Sequence, residues 1–194
     1  MKKIISLTTL LILSVSCLLC GCFFNDVMVI PDNAFIGEPK NFEKDGFLIT
    51  LTDKFEEEQS QRGFDAYYVA DFCGVVVLKE EFTLEEGLAE QTLENYINDV
   101  INANGHTGIK PQQKNGLWFY ENLTTKSYVR SYSYKGSDSF WIVQFICNRS
   151  DVSKLSDIFY LWAESVEVNW YKPSAINTVT RKVVYLCVIL SMVQ

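Results

Sequence analysis

From Ile109 to Asn148 the chain is a succession of strand patterns joined by tight turns, and this stretch most restricts the fold. Lys114-Asn115-Gly116 is the strongest hairpin signal. Asn-Gly accepts the two positive φ angles of a type I′ turn, whose twist matches that of paired antiparallel strands. It joins a strand near Ile109–Gln113 to "LWFYENL". "KSYVRSYSY" and "DSFWIVQFICN" follow as a second hairpin through Lys135-Gly136-Ser137. Upstream, "GFLITLTDKF" alternates Phe47, Ile49 and Leu51 on one face, the pattern of a half-buried strand. "GFDAYYVADF" and "GVVVLKEEF" are two further strands around a turn at Cys73-Gly74, the second with an unbroken apolar run that suits a strand covered on both faces.

Helical periodicity is confined to two segments. In "TLENYINDVINANG" the residues Leu93, Tyr96, Ile97, Val100 and Ile101 form one stripe, with Thr92 as N-cap and Gly105 as C-cap. In "DVSKLSDIFYLWAESV" the stripe is Leu155, Ile158, Phe159 and Trp162, with Asp151 as the cap. Thr83-x-x-Glu86 has the form of a capping box for a short helical turn. A short strand, "SVEVNW", ends the body. Strands, a helix, a run of antiparallel strands, a helix and a strand predict the α+β class, with helices packed on an antiparallel sheet.

The N-terminus reads as an address. Lys2 and Lys3 precede an apolar run from Ile4 to Leu19, and "LCGC" then gives way to Asn25-Asp26. That is the order of an export signal, and the apolar run is short for a membrane span. A cysteine behind Leu-x-Gly resembles the bacterial lipobox, in which the thiol is diacylated before cleavage. Cys22 fits best, with Gly21 before the cut and Leu19 at −3; Ser16-Cys17 is a weaker match inside the apolar run. An ordinary signal peptide and a retained anchor are the competing readings. Two acyl chains suffice for anchoring, at about 0.8 kcal/mol per buried CH₂. On this reading residues 1–21 are the signal, 22–39 a tether, 40–168 the folded domain and 169–194 a tail. The expected location is the extracytoplasmic face of the cytoplasmic membrane, reached through the lipidated cysteine.

Charge narrows the partners. All 24 acidic residues lie between Asp26 and Glu167, against 12 basic ones in the same span, a net charge of −12. Such a body is a poor nucleic-acid binder, because phosphate contacts need Lys and Arg. Anionic headgroups should repel it and leave the acyl chains to hold it. The tail has three bases, no acid, and an apolar run too short to span a bilayer. Besides Cys22, the expected mature chain holds Cys73, Cys147 and Cys187, whose spacings match no metal or redox motif. Cys147 reads as a small buried hydrophobe of its strand. A Cys73–Cys147 disulfide is open to the chain outside the cytoplasm.

The order of elements, with "DGFLITLTDKFEEE", "GVVVLKEEF", "TLENYINDVI", "NGLWFYEN", "SFWIVQFICN" and "FYLWAESVEV" at their places, resembles the PsbP-like superfamily. That superfamily includes the extrinsic subunit of photosystem II, a Ran-binding nuclear import factor and many bacterial lipoproteins. The resemblance covers roughly Lys40 to Val168 and implies an antiparallel β-sheet sandwiched between helices. It also implies a docking or assembly role. It carries over no site residue, metal or cofactor.

Candidate chemistry is sparse. His106 is the one histidine, expected to be solvated in a loop after Gly105, with no nucleophile elbow for it to serve. Glu56-Glu57-Glu58, Glu80-Glu81 and Glu85-Glu86 lack the spaced oxygens of a calcium loop and read as solvated faces. Tyr128, Arg130, Tyr132 and Tyr134 share one face of a strand. With Trp118 and Tyr120 on the neighbouring strand they would form a stacking platform for a sugar or a protein, unless a helix covers them as core. The expectation is a non-enzymatic binding or assembly domain for a protein or cell-wall partner, using no cofactor. The alternatives are a cell-wall glycan-binding module or a carboxylate-dependent hydrolase. Cys22→Ala should abolish metabolic labelling with palmitate, and unchanged labelling would sink the lipobox reading.

Overall fold

A computed structural model describes residues 37–59 and 63–169 of the 194. The signal, Gly21, Cys22 and the tail beyond Asn169 lie outside the described residues. Ten strands and two α-helices follow in the order β1 (Pro39–Lys44), β2 (Phe47–Thr52), β3 (Glu56–Glu57), β4 (Ala66–Ala70), β5 (Cys73–Glu81), α1 (Leu93–Ala103), β6 (Gln112–Lys114), β7 (Leu117–Leu123), β8 (Ser127–Lys135), β9 (Ser139–Asn148), α2 (Val152–Glu164) and β10 (Glu167–Val168). Short 3₁₀ turns at Phe82–Leu84 and Arg149–Asp151 lead out of β5 and into α2. The main sheet has seven strands in the order β3-β4-β5-β9-β8-β7-β6, and its pairings are antiparallel.

β9 is the middle of that sheet. Its odd residues Trp141, Val143, Phe145 and Cys147 enter one core with Leu155, Phe159 and Trp162 of α2. Its even residues Phe140 and Ile142 enter a second core with Tyr96, Ile97, Val100 and Ile101 of α1. A strand buried on both faces reads as a continuous apolar run, and β5 shows the same, with Val75, Val76 and Val77 inaccessible to solvent. The architecture is therefore α+β, an antiparallel sheet with one helix on each face.

A second sheet shares the α2 side. β1, β2 and β10 form it in the order β1-β2-β10, and Phe42, Phe47, Ile49 and Leu51 pack from it into the α2 core. The strand over Phe47–Thr52 is as expected, but it belongs to this separate sheet. β1 was not anticipated, because "PKNFEK" has one buried apolar residue, Phe42. Its hairpin partner is set by Asp45-Gly46, whose φ values of 47° and 86° repeat the Asn115-Gly116 geometry of 48° and 85°. Gly37 precedes β1 where a Cβ would stand 2.9 Å from the Cβ of Thr52, so a side chain there would collide.

Three other boundaries differ. The β4–β5 turn is Asp71-Phe72, while Cys73 and Gly74 already pair within β5. The strand before Asn115 starts at Gln112, after Pro111. Thr83 lies inside a 3₁₀ turn whose N-cap, Glu81, makes no side-chain capping bond. The helix caps also divide. Thr92 accepts the Asn95 amide, and Gly105 follows the Asn104 cap at φ 64°, whereas Asp151 occupies its cap position without a side-chain capping bond.

The two ends of the body are distinct. Pro39 pairs with Thr52, Phe55 follows one turn later, and its ring stacks edge-on to Phe72 at 5.8 Å, beside the Cys73 end of the main sheet. Asn169 lies at the other end, donating from Nδ2 to Ser137 Oγ at 2.8 Å in the β8–β9 turn. α2 is fastened to the small sheet by Ser165, whose Oγ accepts the Thr50 amide at 3.0 Å and donates to the Trp162 carbonyl at 2.6 Å. Phe145 joins these parts, with its ring 5.1 Å from Phe159, 6.0 Å from Trp162 and 5.8 Å from Tyr132. Phe145→Ala should cost about 3–5 kcal/mol in urea unfolding, whereas Leu123→Ala at an exposed position should cost under about 0.5.

Candidate functional site

The tyrosine strand does bring Tyr128, Arg130, Tyr132 and Tyr134 to one face, and that face lies beneath α2. Tyr128 and Tyr132 are buried, and the Arg130 side chain keeps 14% exposure. The Arg130 fork is used internally. Its Nε donates to Glu121 Oε1 and to the Tyr128 hydroxyl, both at 2.8 Å, and Nη1 donates to the Ser156 carbonyl of α2 at 2.6 Å. The guanidinium lies 5.5 Å from the Phe119 ring centre and 5.6 Å from that of Tyr128. Tyr134 donates to the Ala163 carbonyl at 2.8 Å. Burial raises the pKa of the tyrosine hydroxyls, Tyr132 to about 12 with Arg130 pulling the other way, so they remain neutral donors. The group is a buried polar seam between β8 and α2.

Trp118 and Tyr120 do not join it. The register Trp118↔Ser133, Phe119↔Tyr132 and Tyr120↔Ser131 turns them to the α1 face and gives the α2 face Phe119 and Glu121 instead. Two further expectations are corrected. Glu80 is buried under α1 and accepts from the Tyr96 hydroxyl at 2.9 Å, so it is no solvated face. His106 is half-buried, with its ring centre 6.1 Å from that of Tyr120 and Nε2 3.4 Å from Asn122 Nδ2.

His106 marks the end of a more open arrangement on the α1 side. Directly opposed pairs Glu56↔Val69, Val69↔Gly74, Gly74↔Ile146, Ile146↔Val129 and Val129↔Asn122 set six residues in one row across six strands. Side chains directly opposite on paired strands point to the same side, so the row faces the α1 side throughout. Val69, Ile146, Val129 and Asn122 are half-buried and Glu56 is exposed. With strands about 4.8 Å apart the row is about 24 Å long. The next row inward, Tyr67, Val76, Gln144, Ser131 and Tyr120, is buried. Gly74 forms a low point, with the Tyr67 ring edge against it and the Tyr67 hydroxyl pushed up to about 12 by burial and then by the charge of Glu58. Sequence reading missed this row, because Val69, Val129 and Ile146 belong to alternating strands that look alike on both faces. Only the register separates the covered positions from the open ones.

Other titratable groups serve structure. Asp65 has its pKa raised by burial, while its carboxylate accepts the Lys79 amide at 2.6 Å and thereby closes the approach of β4 to β5. Among the described residues no group of three or more His, Cys, Asp or Glu is placed to hold a metal ion.

No protein-family model and no curated protein sequence matches the chain. Among solved structures it is similar to the solution structure of cyanobacterial PsbP (CyanoP) from Synechocystis sp. PCC 6803, with a TM-score of 0.48 and 9% identity over 73% of this chain and 98% of that one. It is also similar to the Ran-binding protein Mog1p of Saccharomyces cerevisiae, with a TM-score of 0.45 and 12% identity over 69% of this chain and 96% of that one. A point mutant of the protein Mog1 gives a TM-score of 0.44 at 12% identity, over 67% of this chain and 95% of that one.

Burial lowers the pKa of His106 from its ordinary 6.5. The folded state therefore favours the neutral ring, and its contribution to stability is full above pH 6.5 and declines as pH falls from there through the folded pKa. An NMR titration should place the His106 midpoint below 6.5. His106→Gln should remove part of the stability lost between about pH 7 and pH 5.

Proposed function

We propose that this chain is a non-enzymatic binding domain, held by a lipid on Cys22 at the outer face of the cytoplasmic membrane, that receives a protein partner on the row from Glu56 to Asn122. The observation carrying this reading is the row itself. Three half-buried aliphatic side chains lie in one row, Val129 beside Ile146 and Val69 beyond Gly74, with a carboxylate at one end and Asn122 and His106 at the other. Exposed apolar side chains rimmed by polar groups are the usual signature of an interaction surface. Its length suits an extended segment of about seven residues. The chemistry that fits is an apolar stretch with a basic residue at the Glu56 end, and the acidic body would favour approach of such a partner.

Arg130, Tyr128 and Tyr134 enter this reading as support for α2, since their donors are spent on Glu121 and on the Ser156 and Ala163 carbonyls. Sugar stacking on that cluster is not part of the proposal.

A photo-crosslinking side chain at Val129 should give a discrete protein adduct on intact cells, and one at Lys154, exposed on α2, should not. Ile146→Lys should abolish the adduct formed from Val129 without lowering the unfolding temperature by more than a few degrees. Equal labelling from both positions, or none from Val129, would refute the surface.

A further inference from the structure

Cys73 and Cys147 are both free and fully buried, in the same core beneath α2. Their places in the ladder bring them face to face. β5 and β9 pair without interruption from Glu81↔Ser139 to Gly74↔Ile146, and one more step in that register sets Cys73 opposite Cys147. The kind of opposition follows from a bond at the far end of the same ladder. The Phe82 amide donates to the Asp138 carbonyl at 2.8 Å, directly between residues in register. Hydrogen-bonded and non-hydrogen-bonded pairs alternate along an antiparallel ladder. Phe82 is nine residues from Cys73, an odd number of steps, so Cys73 and Cys147 form a non-hydrogen-bonded pair. Such pairs bring Cα atoms to about 4.5 Å, inside the roughly 4.4–6.8 Å range of disulfides. After burial, the neighbouring Cys147 sulfur is the next cause that raises the pKa of the Cys73 thiol.

We propose that Cys73 and Cys147 are an oxidisable cross-strand pair that closes to a disulfide when the chain folds in an oxidising compartment. The oxidant is a small disulfide such as oxidised glutathione. One cysteine thiolate attacks it and releases one glutathione thiolate, forming a mixed disulfide. The second cysteine thiolate then attacks the protein sulfur of that intermediate and expels the other glutathione thiolate. Two protein thiols lose two electrons and their two protons, and one glutathione disulfide becomes two glutathione thiols. The inference does not depend on the partner surface, and it stands or falls in the purified chain.

Timing is set by burial. In the folded state both sulfurs are shielded, and desolvation pushes the Cys147 thiol up to about 12 and raises the Cys73 thiol well above its ordinary value, so attacking thiolate is scarce. Closure belongs to folding, before α2 covers this end of the sheet. Once made, the bond would join the two central strands and enclose β5 through β9 together with α1.

The test is to unfold the full chain in denaturant, refold it in a glutathione redox buffer, alkylate free thiols in denaturant, and map peptides by mass spectrometry. A Cys73–Cys147 linked peptide, two hydrogens lighter than the reduced pair, is expected. The folded reduced chain placed in the same buffer should acquire it at least tenfold more slowly. The oxidised form should melt roughly 10 °C above the reduced one, and Cys147→Ala should lose that redox dependence. Separate alkylated Cys73 and Cys147 peptides after oxidative refolding would overturn the proposal, as would a dominant bridge from either to Cys22 or Cys187. The wild-type peptide map decides the matter even if the variant fails to fold.

Discussion

Everything in this domain depends on β9 being apolar on both sides. A surface strand can alternate, but a central strand with a helix over each face cannot, and "SFWIVQFICN" satisfies both helices at once. At about 25 cal/mol per Å² of apolar area, Trp141, Phe140 and Phe145 of this strand are among the large, fully buried side chains that contribute most to folding. α1 shares its core with β5 and β7 as well, and α2 shares its core with the small sheet. Each helix is short, with a single apolar stripe, and gains its stability by packing and not by propensity.

Much of this was legible in the chain. The helices, the Asn115-Gly116 turn and the limits of β7 and β8 follow from patterns that are local in sequence. What escaped was non-local. The assignment of β2 to a second sheet depends on β1, which has one apolar residue to announce it, although Asp45-Gly46 is a turn signal of the same kind as Asn115-Gly116. The misplacement of Trp118 and Tyr120 has the same origin. Alternation says which residues share a face, while only the pairing of β7 with β8 says which face the neighbour presents.

The candidate site was less legible than the fold, and for a related reason. Tyr128, Arg130, Tyr132 and Tyr134 looked like a surface because they are large and polar-tipped, yet their hydroxyls and guanidinium meet the Glu121 carboxylate and backbone carbonyls of α2. Polar atoms in an interior are tolerated when each finds a partner, and here the partners come from elements far apart in sequence. The open row shows the converse. Val69, Val129 and Ile146 are ordinary strand residues, and their distinction lies in what fails to cover them.

The ends of the body also bear on where it can act. The chain enters at Pro39, beside Thr52 and Phe55, at the same end of the sheet as Cys73 and the open row, and leaves at Asn169 by the opposite end. If Cys22 is the lipidated residue of the proposal, residues 22–38 form a leash of at most about 60 Å even when fully drawn out. That length is a ceiling on altitude. The row would patrol a shell of that depth above the bilayer, and a partner standing beyond that shell would never meet it.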